Sequence, residues 1–189
     1  MKRFILFILL ATIFAFSVAA QSSVVAKAQR ITGDRFAFSA TTPDGANVLA
    51  VKKPSRQMLD AIDKGLDDLF AVARKNGYRR KLNYSDYTIF IGKADRQKNA
   101  DGVYSPDIAV GAAQYAGSVY DQGGYIYAAG MVISNSPCSF VIAEHTKDFN
   151  RVSDVVRYEG EHLILYHNDR RRYESTKDHS QGGSHPILQ

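Results

Sequence analysis

Apolar residues recur at helical spacing in the first half of the chain, and they predict a long amphipathic helix. Leu59, Ile62, Leu66, Leu69 and Phe70 fall on one stripe when successive residues turn by about 100°. Ser55 precedes the stripe as a predicted N-cap, and Gly77 follows it in the usual C-terminal position. We assign this helix a structural role only.

Short apolar runs between turn residues predict strands. Tyr87, Ile89 and Ile91 alternate with Thr88 and Phe90, a two-residue period typical of a strand. Further strands are predicted at residues 48–51, 125–127, 130–133 and 140–143. Residues 21–45 are polar apart from an aromatic patch at Phe36 and Phe38, and no element is predicted there.

A second helix is predicted over residues 151–166. Val152, Val155, Val156, Leu163 and Tyr166 form its apolar stripe. Glu159 falls in the middle of that stripe, whereas Arg157 and Glu161 fall on the opposite, solvated face. A short polar helix with Asp169 as its N-cap is predicted to follow. This order of elements favours an α+β fold, a single domain in which two main helices pack on a small mixed or antiparallel sheet.

The N-terminal residues predict that the protein is exported. Lys2 and Arg3 precede an apolar run from residue 4 to residue 20 that ends in small residues, which is typical of a secretory signal peptide. We therefore expect residues 1–20 to be a signal peptide, residues 21–189 to form the mature domain, and the location to be secreted or periplasmic. No membrane span is expected after cleavage.

The charge and the single cysteine narrow the classes of function. The formal net charge is +5, and loss of Lys2 and Arg3 would lower it by two, so neither charge nor address indicates nucleic-acid binding. Cys138 has no second cysteine to pair with, and its apolar neighbours favour a buried small side chain over a nucleophile. The basic run Arg79-Arg80-Lys81 is interpreted as a solvated loop, with an anionic ligand as the alternative.

The histidines are concentrated near the C-terminus. The chain has five, and His162, His167, His179 and His185 all lie in its last 28 residues. Imidazole ligates metals and exchanges protons near neutral pH, so the cluster predicts a metal or acid/base site. The alternative is a polar C-terminal loop that collects histidine among other polar residues.

Glu159 needs a partner if its stripe faces the core, because a buried carboxylate is costly unless it is paired, hydrogen-bonded or close to a metal. His162, one turn along, is the nearest candidate. A tyrosine hydroxyl, an arginine or backbone amides are the structural alternatives.

The run Tyr158-Glu159-Gly160-Glu161-His162 resembles the His-Glu-x-x-His helix of the zincin metallopeptidases. In that motif two histidines bind zinc, and the glutamate is the general base for the water that zinc activates. The glutamate and second histidine match, whereas Tyr158 replaces the first histidine. A metzincin's third ligand would fall at Asn168, which lies between His167 and Asp169.

The resemblance implies a metal-dependent hydrolase, with a peptide or protein as substrate and zinc as cofactor. Glu159 would be the base, and Tyr158 would donate a hydrogen bond to an oxyanion. His162 would be a ligand, joined by two of His167, His179 and His185. His162 and His167 are about 140° apart on an ideal helix, so they can share a metal only if the helix ends before His167. The alternative is a non-catalytic exported binding or surface module that has kept the fold and lost the metal.

Overall fold

The computed structural model describes residues 23–94, 108–111, 125–178 and 183–188. The predicted signal peptide at residues 1–20 and the candidate ligand His179 lie outside these residues, so both stay predictions.

A five-stranded mixed sheet forms the centre of the molecule, with the order β1-β2-β3-β7-β6. Its strands are β1 (Phe38–Thr41), β2 (Asn47–Ala50), β3 (Tyr87–Gly92), β6 (Gly130–Asn135) and β7 (Cys138–Ala143). The three central strands β2, β3 and β7 run parallel, and β1 and β6 pair antiparallel at either side. Two further strands, β4 (Ile108–Gly111) and β5 (Tyr125–Ala128), form a separate antiparallel pair.

Two 20-residue helices, α2 (Arg56–Lys75) and α3 (Phe149–Asn168), pack against the sheet and against each other. A shorter helix, α1 (residues 23–32), contributes Val24, Ala28 and Ile31 to a second apolar cluster with Phe90 and Val141. Because Phe90 and Val141 alternate with residues that face α2 and α3, both sides of the central strands are covered. The predicted α+β class and single domain are confirmed.

The helix-end residues predicted at Ser55, Gly77 and Asp169 are confirmed, whereas α3 extends two residues beyond the predicted range 151–166 at each end. Ser55 caps α2 by accepting a hydrogen bond from the Met58 amide, and Gly77 follows the helix with a φ of 80°, in the left-handed region that favours glycine. Asp169 caps the last helix, α4 (Arg170–Thr176), by accepting a hydrogen bond from the Arg172 amide.

The segment 21–45 differs from the expectation. Helix α1 and strand β1 lie within residues 21–45, where no element was predicted. The apolar side of α1 consists of Val24, Ala28 and Ile31, which are at helical spacing but form a short stripe of small or medium residues. The second apolar face of the sheet, which α1 covers, supplies the stabilisation.

Glycines permit the close approach of α2 and α3. A Cβ at Gly65 would lie 2.6 Å from the Ser153 carbonyl oxygen and 2.7 Å from the Val156 Cβ, whereas a Cβ at Gly160 would lie 2.4 Å from the Leu69 Cδ2. The first obstacle includes backbone, and the second is the end of a flexible side chain. The two helices therefore tolerate a methyl group differently at the two positions.

We expect Gly65→Ala to lower the free energy of unfolding by about 1–3 kcal/mol, because overpacking outweighs the roughly 1 kcal/mol gain in helix propensity. Gly160→Ala should cost less, since Leu69 can change rotamer. Urea denaturation of the two variants measures the difference. Equal stability of both variants and wild type would contradict this packing.

Candidate functional site

Helix α3 carries the residues that resemble the zincin motif. Asp148 caps it by accepting a hydrogen bond from the Arg151 amide at 3.0 Å, and the helix continues without a break through His167. The condition under which His162 and His167 can share a metal, a helix that ends before His167, is therefore not met.

The His167 side chain lies at the turn between β6 and β7. Its Nε2 is 2.7 Å from the Asn135 carbonyl oxygen and 3.5 Å from the Cys138 Sγ. Cys138 is buried as expected, and burial raises the pKa of its thiol to about 11, which disfavours the nucleophilic thiolate. His167 thus fastens the end of α3 to the sheet.

The fold brings His185 to α3, beside the candidate ligand His162. The centroids of the two imidazole rings are 5.0 Å apart. The His185 ring also contacts Tyr158, at a centroid distance of 4.7 Å. Tyr158 and His162 are four residues apart and therefore adjacent on the helix surface, so His185 lies over the position where a zincin carries its pair of histidines.

Glu161 holds His185 in place. Its side chain has no exposed surface, and its Oε2 lies 2.8 Å from the His185 Nδ1. Its Oε1 accepts a hydrogen bond from the Ile187 amide, also at 2.8 Å. The expectation that Glu161 lies on a solvated face was wrong, because residues 183–188 return to cover that face and insert Ile187 into the core.

Glu159 faces the edge strand of the sheet. A Cβ at Gly130 would lie 2.8 Å from the Glu159 Cγ and 3.1 Å from its Oε1, so glycine is what allows the carboxyl group to reach β6. The Val132 amide donates a hydrogen bond to this carboxyl, which makes a backbone amide a partner in place of the expected His162.

The carboxyl group of Glu159 is enclosed, although the residue as a whole is half-buried. Desolvation raises its pKa to about 8, and the hydrogen bond from Val132 only partly offsets this. A carboxyl that exchanges its proton near neutral pH is suited to general acid/base chemistry.

A surface cleft of about 380 Å³ lies next to these residues. Tyr158 contributes to its wall, together with Ala129, Asp154 and Val155. Tyr158 is 37% exposed, and the Arg157 guanidinium lies 5.6 Å from the centre of its ring. The cleft gives a ligand access to the helix surface beside Tyr158.

The imidazole and carboxylate groups at this site are of the types that bind zinc in proteins. Zinc binds imidazole nitrogens, and a carboxylate at the other ring nitrogen commonly fixes the orientation of a ligating histidine; Glu161 occupies that place for His185. Within the described ranges, however, no three histidine, cysteine or carboxylate side chains form a group able to hold a metal ion. His162 and His185 are two imidazoles whose ring centroids lie 5.0 Å apart.

The role of Glu161 was missed in the sequence, but a signal for it is present. Ile187 and Leu188 follow a run rich in glycine and serine, and apolar residues at the end of a polar segment indicate that the segment docks onto the domain. Once it docks, the face of α3 beneath it is buried.

Comparisons of the chain with protein-family models, with curated proteins and with solved structures gave no match. In the part of the chain that the structure describes, no helix combines the length and apolar character needed to cross a membrane.

Removal of the Glu161 carboxylate should release the C-terminal segment. We expect Glu161→Leu to lower the free energy of unfolding by about 3 kcal/mol, because it leaves His185 and the Ile187 amide without their acceptor. Hydrogen exchange at residues 183–188 should rise in parallel. The matched control is Glu174→Leu, at an exposed position of α4, where loss of the surface pairs with Arg170 and Lys177 should cost no more than about 1 kcal/mol. Equal effects of the two substitutions would contradict the contacts of Glu161.

Proposed function

We propose that the protein is a metal-dependent hydrolase, similar in its active helix to the zincin peptidases. The observation that carries this proposal is the placement of His185, which lies against both Tyr158 and His162. His185 would supply the imidazole that Tyr158 cannot, so two histidines would again be available at this turn of α3.

The proposed ligands are His162 and His185, with Glu161 orienting the second. A third ligand would come from His179 or a carboxylate. Zinc at such a site supplies a Lewis acid that lowers the pKa of water and polarises a carbonyl group. Glu159 is placed one turn before His162, where it would take the proton from the attacking water and pass it to the leaving group.

The substrate proposed is a peptide or protein. Among the described residues, β6 is the edge strand of the sheet, and Glu159 lies directly against its first residues. An extended peptide can add to a free strand edge through main-chain hydrogen bonds, which would bring its carbonyl groups past the Glu159 carboxyl. Tyr158, at the rim of the adjoining cleft, is positioned to donate a hydrogen bond to a developing oxyanion.

A non-catalytic binding module remains the second candidate, and Tyr158 favours it. A catalytic zinc site normally has three protein ligands, and an exposed tyrosine occupies the position of one of them. In this case the cleft beside Tyr158 would bind a partner without metal chemistry.

Metal content separates the two candidates. We expect about one zinc ion per chain in tag-free protein purified without chelators, and loss of that ion in His162→Ala and in His185→Ala. His167→Ala is the control, because His167 contacts Asn135 and Cys138 instead. Elemental analysis gives the stoichiometry. Metal-free wild type, or equal loss in all three variants, would reject this ligand assignment.

Glu159→Gln tests the base through activity and pH together. The variant should lose hydrolysis while the fold is kept. In the unfolded chain Glu159 ionises near its ordinary pKa of 4.5, and in the folded chain it ionises near 8. Between these values the unfolded state binds fewer protons, so stability falls as pH rises through the window. Gln does not titrate, and the variant should be more stable than wild type by at least about 2 kcal/mol at pH 8.5, with little difference at pH 4.5.

Urea denaturation at both pH values, in chelator to remove metal, measures this gain. Glu174→Gln is the control. The hydrogen bond from Lys177 holds the pKa of the exposed Glu174 carboxyl below its usual range, so removal of this carboxylate cannot stabilise the fold as pH rises. If the Glu159→Gln variant is less stable than wild type at pH 8.5, Glu159 is a structural hydrogen-bond acceptor and not a general base.

A further inference from the structure

Two basic runs that lie far apart in the sequence meet at one end of the molecule. The Asn168 Oδ1 accepts hydrogen bonds from the Arg79 and Arg80 amides at 3.1 Å and 2.9 Å, and its Nδ2 donates to the Arg80 carbonyl oxygen at 3.0 Å. Asn168 directly precedes Asp169 and the arginines at 170, 171 and 172. One side chain thus joins the loop after α2 to the start of α4.

A second set of contacts fixes the same junction. The Tyr78 hydroxyl donates to the Asp169 Oδ2 at 3.3 Å and accepts from the Arg172 Nη1 at 3.2 Å. The Arg80 Nη1 lies 3.4 Å from the His167 carbonyl oxygen. The two basic runs therefore form one surface on a defined backbone.

Part of the positive charge at this end is neutralised locally. Lys81 pairs with Asp86 at 2.8 Å, Arg170 pairs with Glu174 at 3.0 Å, and Arg172 lies 3.9 Å from Asp169. At this end of the molecule, five exposed cations have no ion-pair partner among the described residues, and we call them the basic end: Arg74, Lys75, Arg79, Arg80 and Arg171.

Stabilisation of the helix ends explains only part of this concentration. Cations near helix C-termini interact favourably with the last carbonyl groups, and the Arg79 Nη1 does contact the Arg74 and Tyr78 carbonyl oxygens. A guanidinium group has five N–H donors, and these contacts use one nitrogen. Both Arg79 and Arg171 are exposed.

We propose that the basic end docks the protein on an anionic phospholipid surface. Exposed lysines and arginines attract the negative surface potential of such membranes additively, and guanidinium groups form paired hydrogen bonds with phosphate oxygens. The predicted export favours a membrane over nucleic acid as the partner. This binding is independent of the proposed hydrolase site, which lies farther back along α3.

The test compares two triple variants with the same loss of charge. Arg79→Gln, Arg80→Gln and Arg171→Gln are combined in the first, and the backbone contacts of Asn168 are kept. Lys52→Gln, Lys53→Gln and Lys147→Gln are combined in the second, at a cleft between the N-termini of α2 and α3. Binding is measured by co-sedimentation with phosphatidylglycerol–phosphatidylcholine vesicles, and thermal denaturation checks that both variants fold.

We expect wild type to bind vesicles that contain phosphatidylglycerol but not vesicles of pure phosphatidylcholine. Binding should weaken when the salt concentration is raised about fourfold, from 50 to 200 mM. The basic-end variant should lose at least about tenfold in binding, and the cleft variant less than about threefold. Equal losses would show an effect of total charge and overturn the proposal. Displacement of the protein by millimolar inorganic phosphate, or tighter binding to duplex DNA than to the vesicles, would overturn the assignment to a lipid surface.

Discussion

The burial of the Glu161 carboxylate is the constraint on which the candidate site depends. A carboxylate with no exposed surface must have both oxygens satisfied, because desolvation of an unpaired charge is costly. The Ile187 amide and the His185 imidazole meet that requirement. In doing so they fix residues 183–188 against α3 and place a histidine from the end of the chain beside His162.

Close contacts at two glycines position α3 around this interaction. Helix α3 packs against both the sheet and α2, and Gly65 allows the two helices to approach so closely that a Cβ there would lie 2.6 Å from the Ser153 carbonyl oxygen. Gly130 does the same between α3 and β6, and the Glu159 carboxyl occupies the space. Glu159 and Glu161 therefore reach opposite environments from one helix: a sheet edge for the first, and the returning C-terminal segment for the second.

Much of the fold could be predicted because its signals are local. The cap at Ser55, the alternation in β3 and the cap at Asp169 each depend on a few neighbouring residues, and all three are confirmed. Helix α1 was missed because its apolar stripe, although at helical spacing, contains only three buried residues, and because the sheet face that it covers lies elsewhere in the sequence. Glu161 was misplaced for a related reason: a helical projection shows which face is polar, but not which distant segment will cover it.

The motif indicated Tyr158, Glu159 and His162, and the histidine cluster indicated His185 as a candidate, but the contact between His185 and His162 depends on the fold. The partnership of His162 with His185 is tested most directly by NMR of the histidine ring nitrogens during a zinc titration. The account predicts that the ring signals of His162 and His185 shift together and saturate at about one equivalent, while those of His167 stay unchanged. A shift of only one of the two, or of neither, would contradict it.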